Sequence, residues 1–336
     1  MILHPGILAL LLASVIVMLM LLYAAAIGTA ILFNWDFGSS SARQLALERK
    51  AYLVSTLVSY AFGFVVLSGL LYIYTVDDIH ELFVGAMCAV GSLNVNPVGW
   101  NVLWTKILSF FLAAVWMALN FFDQRAEDFP LVKIKYLFLL LIVPVVAVDL
   151  YFQFRYFLGL EPEIITSCCG SLFSEQEATV AGELAGLPVG TMIWLFYLSV
   201  ALYLAAGTLC LFSRAAFARY LVTVMSLLFF LVAMASIISF ISIYIYELPT
   251  HHCPFDILQE GYHFIGYPMY ISLFGGVLFG LFPGIFQPLK KFPSLRAEIT
   301  RVEKKWVILS MLGILGFTLI SSWPVLFGNL TMQGYY

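Results

Sequence analysis

Thiol and imidazole side chains are gathered into a few short stretches of an otherwise apolar chain. Cys88 and His80 lie in one stretch, Cys168 and Cys169 in a second, and His251, His252, Cys253 and His263 in a third, with His4 near the N-terminus. Thiolate and imidazole are the donors that copper and zinc favour, and a thiolate is also a nucleophile. The third stretch is the richest: Thr250-His251-His252-Cys253-Pro254-Phe255-Asp256-Ile257-Leu258-Gln259-Glu260-Gly261-Tyr262-His263. Proline suits the first position of a helix, so the pattern predicts a helix opening at Pro254 with Cys253 as its N-cap. A thiol so placed, beside a histidine, is pushed toward thiolate. On that helix Asp256, Glu260 and His263 share a face as secondary ligands. Glu260 and His263 have the spacing of a carboxylate-bridged iron pair.

In the first stretch His80 and Met87 are spaced to share a helical face, with Cys88 beside it; His, Met and Cys together suit a soft ion. In the second stretch the adjacent Cys168 and Cys169 are poorly placed to bond each other, because a disulfide there strains the joining peptide. They pair with separate partners or share a metal. The run Ser174–Glu183 is expected as a short surface helix. The expected metal ligands are therefore His251, His252, Cys253, Cys168, Cys169, Cys88 and His80, with Asp256, Glu260, His263 and Met87 secondary. The metal is of copper or zinc type.

Two other chemistries compete. Four thiols in an oxidising space can form two purely structural disulfides, leaving a transporter or a scaffold for a membrane complex. Alternatively the thiols exchange electrons with a partner and a membrane quinone. That scheme resembles the bacterial disulfide-generating membrane proteins and the vitamin K epoxide reductases in logic and sidedness. Their Cys-x-x-Cys is absent: Cys253-Pro-Phe-Asp256 has Asp where the second Cys would stand. A second polar group, Lys106, Asp149 and Arg155, lies inside apolar runs. It reads either as a Lys106–Asp149 pair with Arg155 reaching for the interface, or as a pocket for a quinone head group. No Cys-x-x-Cys-His and no phosphate-binding glycine loop occurs, which removes covalent haem and nucleotide chemistry.

The elements that position these groups follow from composition. Of the 336 residues 62% are hydrophobic and 10% charged, against about 25% charged in a soluble domain. A net charge of −3 gives no footing for nucleic acid. Eight runs, 6–34, 51–75, 101–122, 133–156, 189–212, 219–246, 267–289 and 306–328, are each long enough to cross a bilayer as a helix. They predict an all-α, polytopic transmembrane bundle forming a single integral domain. Pro144 and Pro283 are candidate helix breaks, and Gly276, Gly280 and Gly284 form a small-residue face for close helix contact.

Charge sorting sets the expected topology. Fourteen of the 16 basic residues fall in the odd-numbered connections, which the positive-inside rule puts in the cytoplasm. Both termini and the connections 76–100, 157–188 and 247–266 are then extracytoplasmic, making a Cys/His cap on a multi-pass cell-membrane protein, with the bacterial cytoplasmic membrane as the expected host. Its expected partners are the lipid bilayer, a periplasmic redox or metal-carrying protein, and other membrane subunits. The expected role is support of membrane electron transfer or cofactor assembly.

Overall fold

In hydrocarbon a peptide group has no water to bond, so a long apolar run satisfies its backbone internally as helix. The structure, a computed structural model, describes residues 2–39, 41–161, 166 and 184–330. Eight helices are long and apolar enough to span a membrane, and no strand occurs among the described residues. They are α1 (Pro5–Asn34), α2 (Ala42–Asp78), α3 (Gly99–Asp123), α4 (Val132–Leu158), α5 (Val189–Phe212), α6 (Ala216–Ser236), α7 (Gly266–Phe286) and α8 (Pro293–Phe327). The protein is an all-α, polytopic bundle.

Two helices outrun their apolar stretches. Helix α2 begins at Ala42 rather than at 51, and its N-cap Ser41 accepts the Gln44 N–H at 3.3 Å. Helix α8 begins at Pro293 rather than at 306, with Pro in its first turn. These extra turns are amphipathic: Leu295 and Ile299 are buried while Arg296 and Arg301 are exposed. A hydropathy window ends where lipid ends, whereas a helix continues into water as long as one face stays packed.

The chain divides into two compact units, Met1–Val84 with Ser92–Thr166, and Gly85–Gly91 with Ser167–Tyr336. In the first, α1 packs on α2 and α4, and α3 packs on the same two helices. Leu21, Phe62, Trp116, Tyr136 and Leu139 fill its core, with Phe62 edge-on to Trp116 at 5.2 Å. In the second, α5, α6, α7 and α8 pack in a closed ring around Phe196, Phe229, Phe240 and Phe317. Each unit leaves large apolar side chains exposed, such as Leu19 and Leu67 in the first and Trp194 and Leu319 in the second. Water would not tolerate so much exposed apolar surface, and lipid does.

The glycine face of α7 is used within the chain. A Cβ on Gly276 would lie 2.9 Å from the Ile314 backbone nitrogen, and one on Gly284 would lie 2.4 Å from the Thr223 hydroxyl. Pro283 does not break α7 and Pro144 does not break α4. Next to Pro283, which has no N–H of its own, the Thr223 hydroxyl serves the neighbouring backbone groups. It donates to the Leu281 carbonyl at 3.1 Å and accepts from the Gly284 N–H at 2.9 Å. The real irregularity is in α6, where a π turn, Ile237–Ile241, joins it to a last helical piece, Ser242–Tyr246. Because backbone meets backbone at Gly276, a Gly276→Val variant has nowhere to put its side chain. It should lose about 1–3 kcal/mol of stability or more, read as a lowered thermal midpoint in detergent, whereas Gly275→Ala, in open space, should leave the midpoint unchanged.

Candidate metal centre

The richest sequence stretch does not form the predicted helix. It folds into two separate 3-10 turns, Asp256–Leu258 and Glu260–Tyr262. The reason is a captured hydrogen bond. In a helix the Ile257 N–H would bond to the Cys253 carbonyl. Here the Tyr246 hydroxyl stands between them, donating to the Cys253 carbonyl at 2.6 Å and accepting from the Ile257 N–H at 3.0 Å. The Tyr270 hydroxyl takes the next carbonyl, that of Pro254, at 2.6 Å. Gln259 is extended and divides the two turns, and His263 and Phe264, at φ 54° and 55°, reverse the chain into α7. Cys253 is therefore no helix N-cap. Asp256, Glu260 and His263 do not share a face either: Asp256 is buried, and Glu260 and His263 are exposed.

The turn packs tightly against the start of α7. A Cβ on Gly266 would lie 2.8 Å from a Leu258 methyl and 2.9 Å from the Ile257 carbonyl, so only glycine permits this approach. On its other side the turn holds the segment Gly85–Gly91, which belongs to the same unit. The Gln259 amide donates to the Met87 carbonyl at 2.8 Å. That bond brings Cys88 to Cys253.

Three donors converge. The Cys88 and Cys253 sulfurs are 3.6 Å apart, and the Cys253 thiol faces Asp256 Oδ1 at 3.2 Å. Among the described residues, Cys88, Cys253 and Asp256 form a group whose donor atoms all lie within 4.8 Å of one another. Both cysteines are fully buried and Asp256 is 8% exposed. A disulfide needs about 2.05 Å between sulfurs, so this pair is not bonded. Two sulfurs at 2.3 Å from one tetrahedral ion would be about 3.8 Å apart, close to the separation seen. The Phe255 N–H also points to the Cys253 sulfur at 3.4 Å, a donor that favours thiolate.

Around this core sit groups that fix it. His251 Nε2 lies 2.5 Å from Asp256 Oδ2, so the carboxylate turns one oxygen to the imidazole and the other to the thiols. The His251 ring packs edge-on to Tyr246 at 4.7 Å. His252 is buried, and its Nδ1 is 2.8 Å from the Ile238 carbonyl in the π turn. A carbonyl only accepts, so Nδ1 carries the hydrogen of this bond. The π turn thus aims a carbonyl at a histidine beside the cluster, a common use of such turns. Burial, and then the negative groups Asp256 and Cys253, push the Tyr262 hydroxyl above its ordinary pKa.

The other expected ligands are placed as follows. Helix α2 ends at Asp78 and a 3-10 turn covers Ile79–Leu82, after which Phe83 is extended and Gly85 has φ 86°. His80 and Met87 therefore do not share a helical face. His80 lies in the first unit with Nδ1 against the Asp77 carbonyl. Met87 is 70% exposed. Cys168, Cys169 and the expected surface helix at Ser174–Glu183 lie outside the described residues.

The second polar group forms inside the first unit. Lys106 Nζ meets Asp149 Oδ2 at 2.8 Å and the Ser68 hydroxyl at 3.2 Å. Asp149 also accepts from Thr105 at 3.0 Å and from the Gln153 amide at 2.8 Å, and Gln153 accepts from Ser14 at 3.1 Å. All four helices of the unit thus contribute to one buried network. Arg155 stands apart: it is exposed and bonds the Tyr151 hydroxyl at 3.1 Å.

Sequence reasoning missed Tyr246, Tyr270 and the Ile238 carbonyl, and gave Asp256 only a secondary place. A tyrosine at the end of an apolar run carries no mark of its target, and a π turn leaves no trace in composition. Comparison with family models, with curated proteins and with solved structures finds no match. The fold and this cluster define a multi-pass helical membrane protein with a Cys/Asp group able to hold a metal.

Proposed function

We propose that Cys88, Cys253 and Asp256 hold a transition metal of zinc or copper type on the extracytoplasmic side of the membrane, in support of electron transfer or cofactor assembly. The observation that carries this reading is the 3.6 Å separation of two buried sulfurs with a carboxylate oxygen 3.2 Å from one of them. Thiolates supply charge and softness, and a two-sulfur set suits zinc(II) or copper(I). Asp256 completes or balances the site, and His251 is a positioning residue that orients it. Cys168, Cys169 and His252 are candidates for further ligands. Charge sorting supports the sidedness: basic residues crowd the connections opposite to those bearing Cys88 and Cys253. On this reading the partner is a periplasmic metal carrier or redox protein.

The test is anaerobic titration of the purified protein with zinc(II) or copper(I) against a chromophoric chelator. One ion should bind per chain, with proton release and with affinity falling as pH falls, because thiols must ionise to bind. Failure of both ions to bind at neutral pH would overturn the reading. Replacing His251 with glutamine should weaken binding about 10- to 100-fold, as loss of a supporting residue does, with the one-to-one stoichiometry kept. A change in stoichiometry instead would make His251 a ligand.

The same sulfur separation favours a second reading. It exceeds an S–S bond by about 1.6 Å, within reach of a small backbone shift. Closing it removes two electrons and two protons from the thiols, and a quinone would take both to become quinol. Incubation of reduced protein with a soluble quinone, followed by mass spectrometry, tests this: a Cys88–Cys253 disulfide with stoichiometric quinol supports exchange, and unchanged thiols rule it out.

A further inference from the structure

The second unit carries a dense cationic surface at the end opposite its thiol cluster. The α5–α6 connection, the α7–α8 connection and the first turns of α8 meet there, bringing eight basic residues together with Glu298 and Glu303. Two of the eight are spent internally. Glu303 is buried and takes Arg219 on one oxygen at 2.9 Å and Lys290 on the other at 2.6 Å. The remaining six, Arg214, Lys291, Arg296, Arg301, Lys304 and Lys305, are all exposed.

This surface lies where the apolar runs of α5, α6, α7 and α8 end. Phe212 and Phe217 flank Arg214 and are 88% and 68% exposed, apolar surface that lipid covers better than water. Leu295 and Ile299 bury one side of the first turns of α8, so Arg296, Arg301, Lys304 and Lys305 ride on the other. Trp306 and Val307, next in sequence, are already core. The cations therefore stand within the first few turns outside the apolar span, where clusters of four to eight Lys or Arg attract anionic lipid. A bare surface of this charge would repel itself, so an anion is expected against it.

We infer that this end of the second unit is a binding surface for anionic phospholipid head groups. The phosphodiester and the net negative head group supply what six exposed cations lack, and the exposed phenylalanines sit among the acyl chains beneath. Lipid is favoured over a soluble phosphate because the apolar and cationic groups are interleaved.

The test reconstitutes the full-length protein in nanodiscs of mixed phosphatidylglycerol and phosphatidylcholine and reads the lipids retained on mild detergent extraction by native mass spectrometry. Phosphatidylglycerol should be enriched on the protein, with enrichment falling as salt rises. A variant with Lys291, Arg296, Arg301, Lys304 and Lys305 all changed to glutamine should lose it, by about fivefold for each of the first cations removed. Thr300→Ala, exposed on the same turns, should retain it. Equal retention of both lipids by the native protein would overturn the inference, as would unchanged enrichment in the fivefold variant with a native thermal midpoint. Displacement of the lipid by millimolar inorganic phosphate would reassign the surface to a soluble anion. If the fivefold variant does not fold, single changes at Arg301 and Lys305 give the same reading on a smaller scale.

Discussion

Cys253→Ser should abolish tight metal binding, and Cys88→Ser should do nearly as much. Each serine keeps the size of the side chain and removes the thiolate, so the loss is of ligand rather than of packing. Cys253 is the centre of the group, since its sulfur faces Cys88, Asp256 and the Phe255 N–H together. A zinc-type site that loses one thiolate of two loses both charge and softness, and affinity should fall by at least about 10³-fold. Removal of either one should also abolish the charge-transfer absorption that thiolate gives with copper(I). The measurement is competition against a chelator of known affinity, with helicity and thermal midpoint of the metal-free variants as folding controls. Native affinity in Cys253→Ser would remove the site from this cluster altogether. An effect of Cys253→Ser matched by none at all in Cys88→Ser would shift the second sulfur ligand elsewhere. Asp256→Asn is the finer probe: it keeps a hydrogen-bonding partner for His251 while removing the charge, and should cost less than either thiol.

The ease of reading this chain differed between its parts for physical reasons. The eight spans were legible because each must satisfy its backbone in lipid and cover itself with apolar side chains, a demand that leaves a continuous record. The Lys106–Asp149 pair was legible too, since two ionisable groups inside apolar runs have few other partners to find. Helix ends were less so: the polar first turns of α2 and α8 are held by Ser41 and by one packed face, which a hydropathy window does not see. The site was half legible. Cys88, Cys253 and Asp256 stood out by type, but the helix read into 254–263 does not form. What defeats it is a tertiary contact, the Tyr246 hydroxyl in the place of a helical hydrogen bond, and no local pattern encodes a tertiary contact. The same holds for the π turn. Ile237–Ile241 is as apolar as its neighbours, and its purpose is visible only once the Ile238 carbonyl meets His252.

The first unit carries the other large expected effect. Lys106→Met should strongly destabilise the protein, by about 3–5 kcal/mol, because it strands Asp149 in the bundle without its cation. The network explains why the cost is high: Thr105 and Gln153 hold Asp149 in place and Ser68 holds Lys106, so neither group can turn to water. Asp149→Asn should be as harmful, since it leaves the ammonium buried with only neutral oxygens near it. The two charges are a closed pair, so removing both should cost far less than removing one. Lys106→Met combined with Asp149→Asn keeps an amide oxygen for Thr105 or Gln153 and no net charge. It should recover most of the lost stability. Thermal unfolding of the four proteins in one detergent, analysed as a double-mutant cycle, measures the coupling directly. A double variant no better than the worse single one would show that the two residues act separately. Single variants as stable as the native chain would show that water already reaches the pair, and the four-helix network would then be a hydrated site rather than a closed structural one.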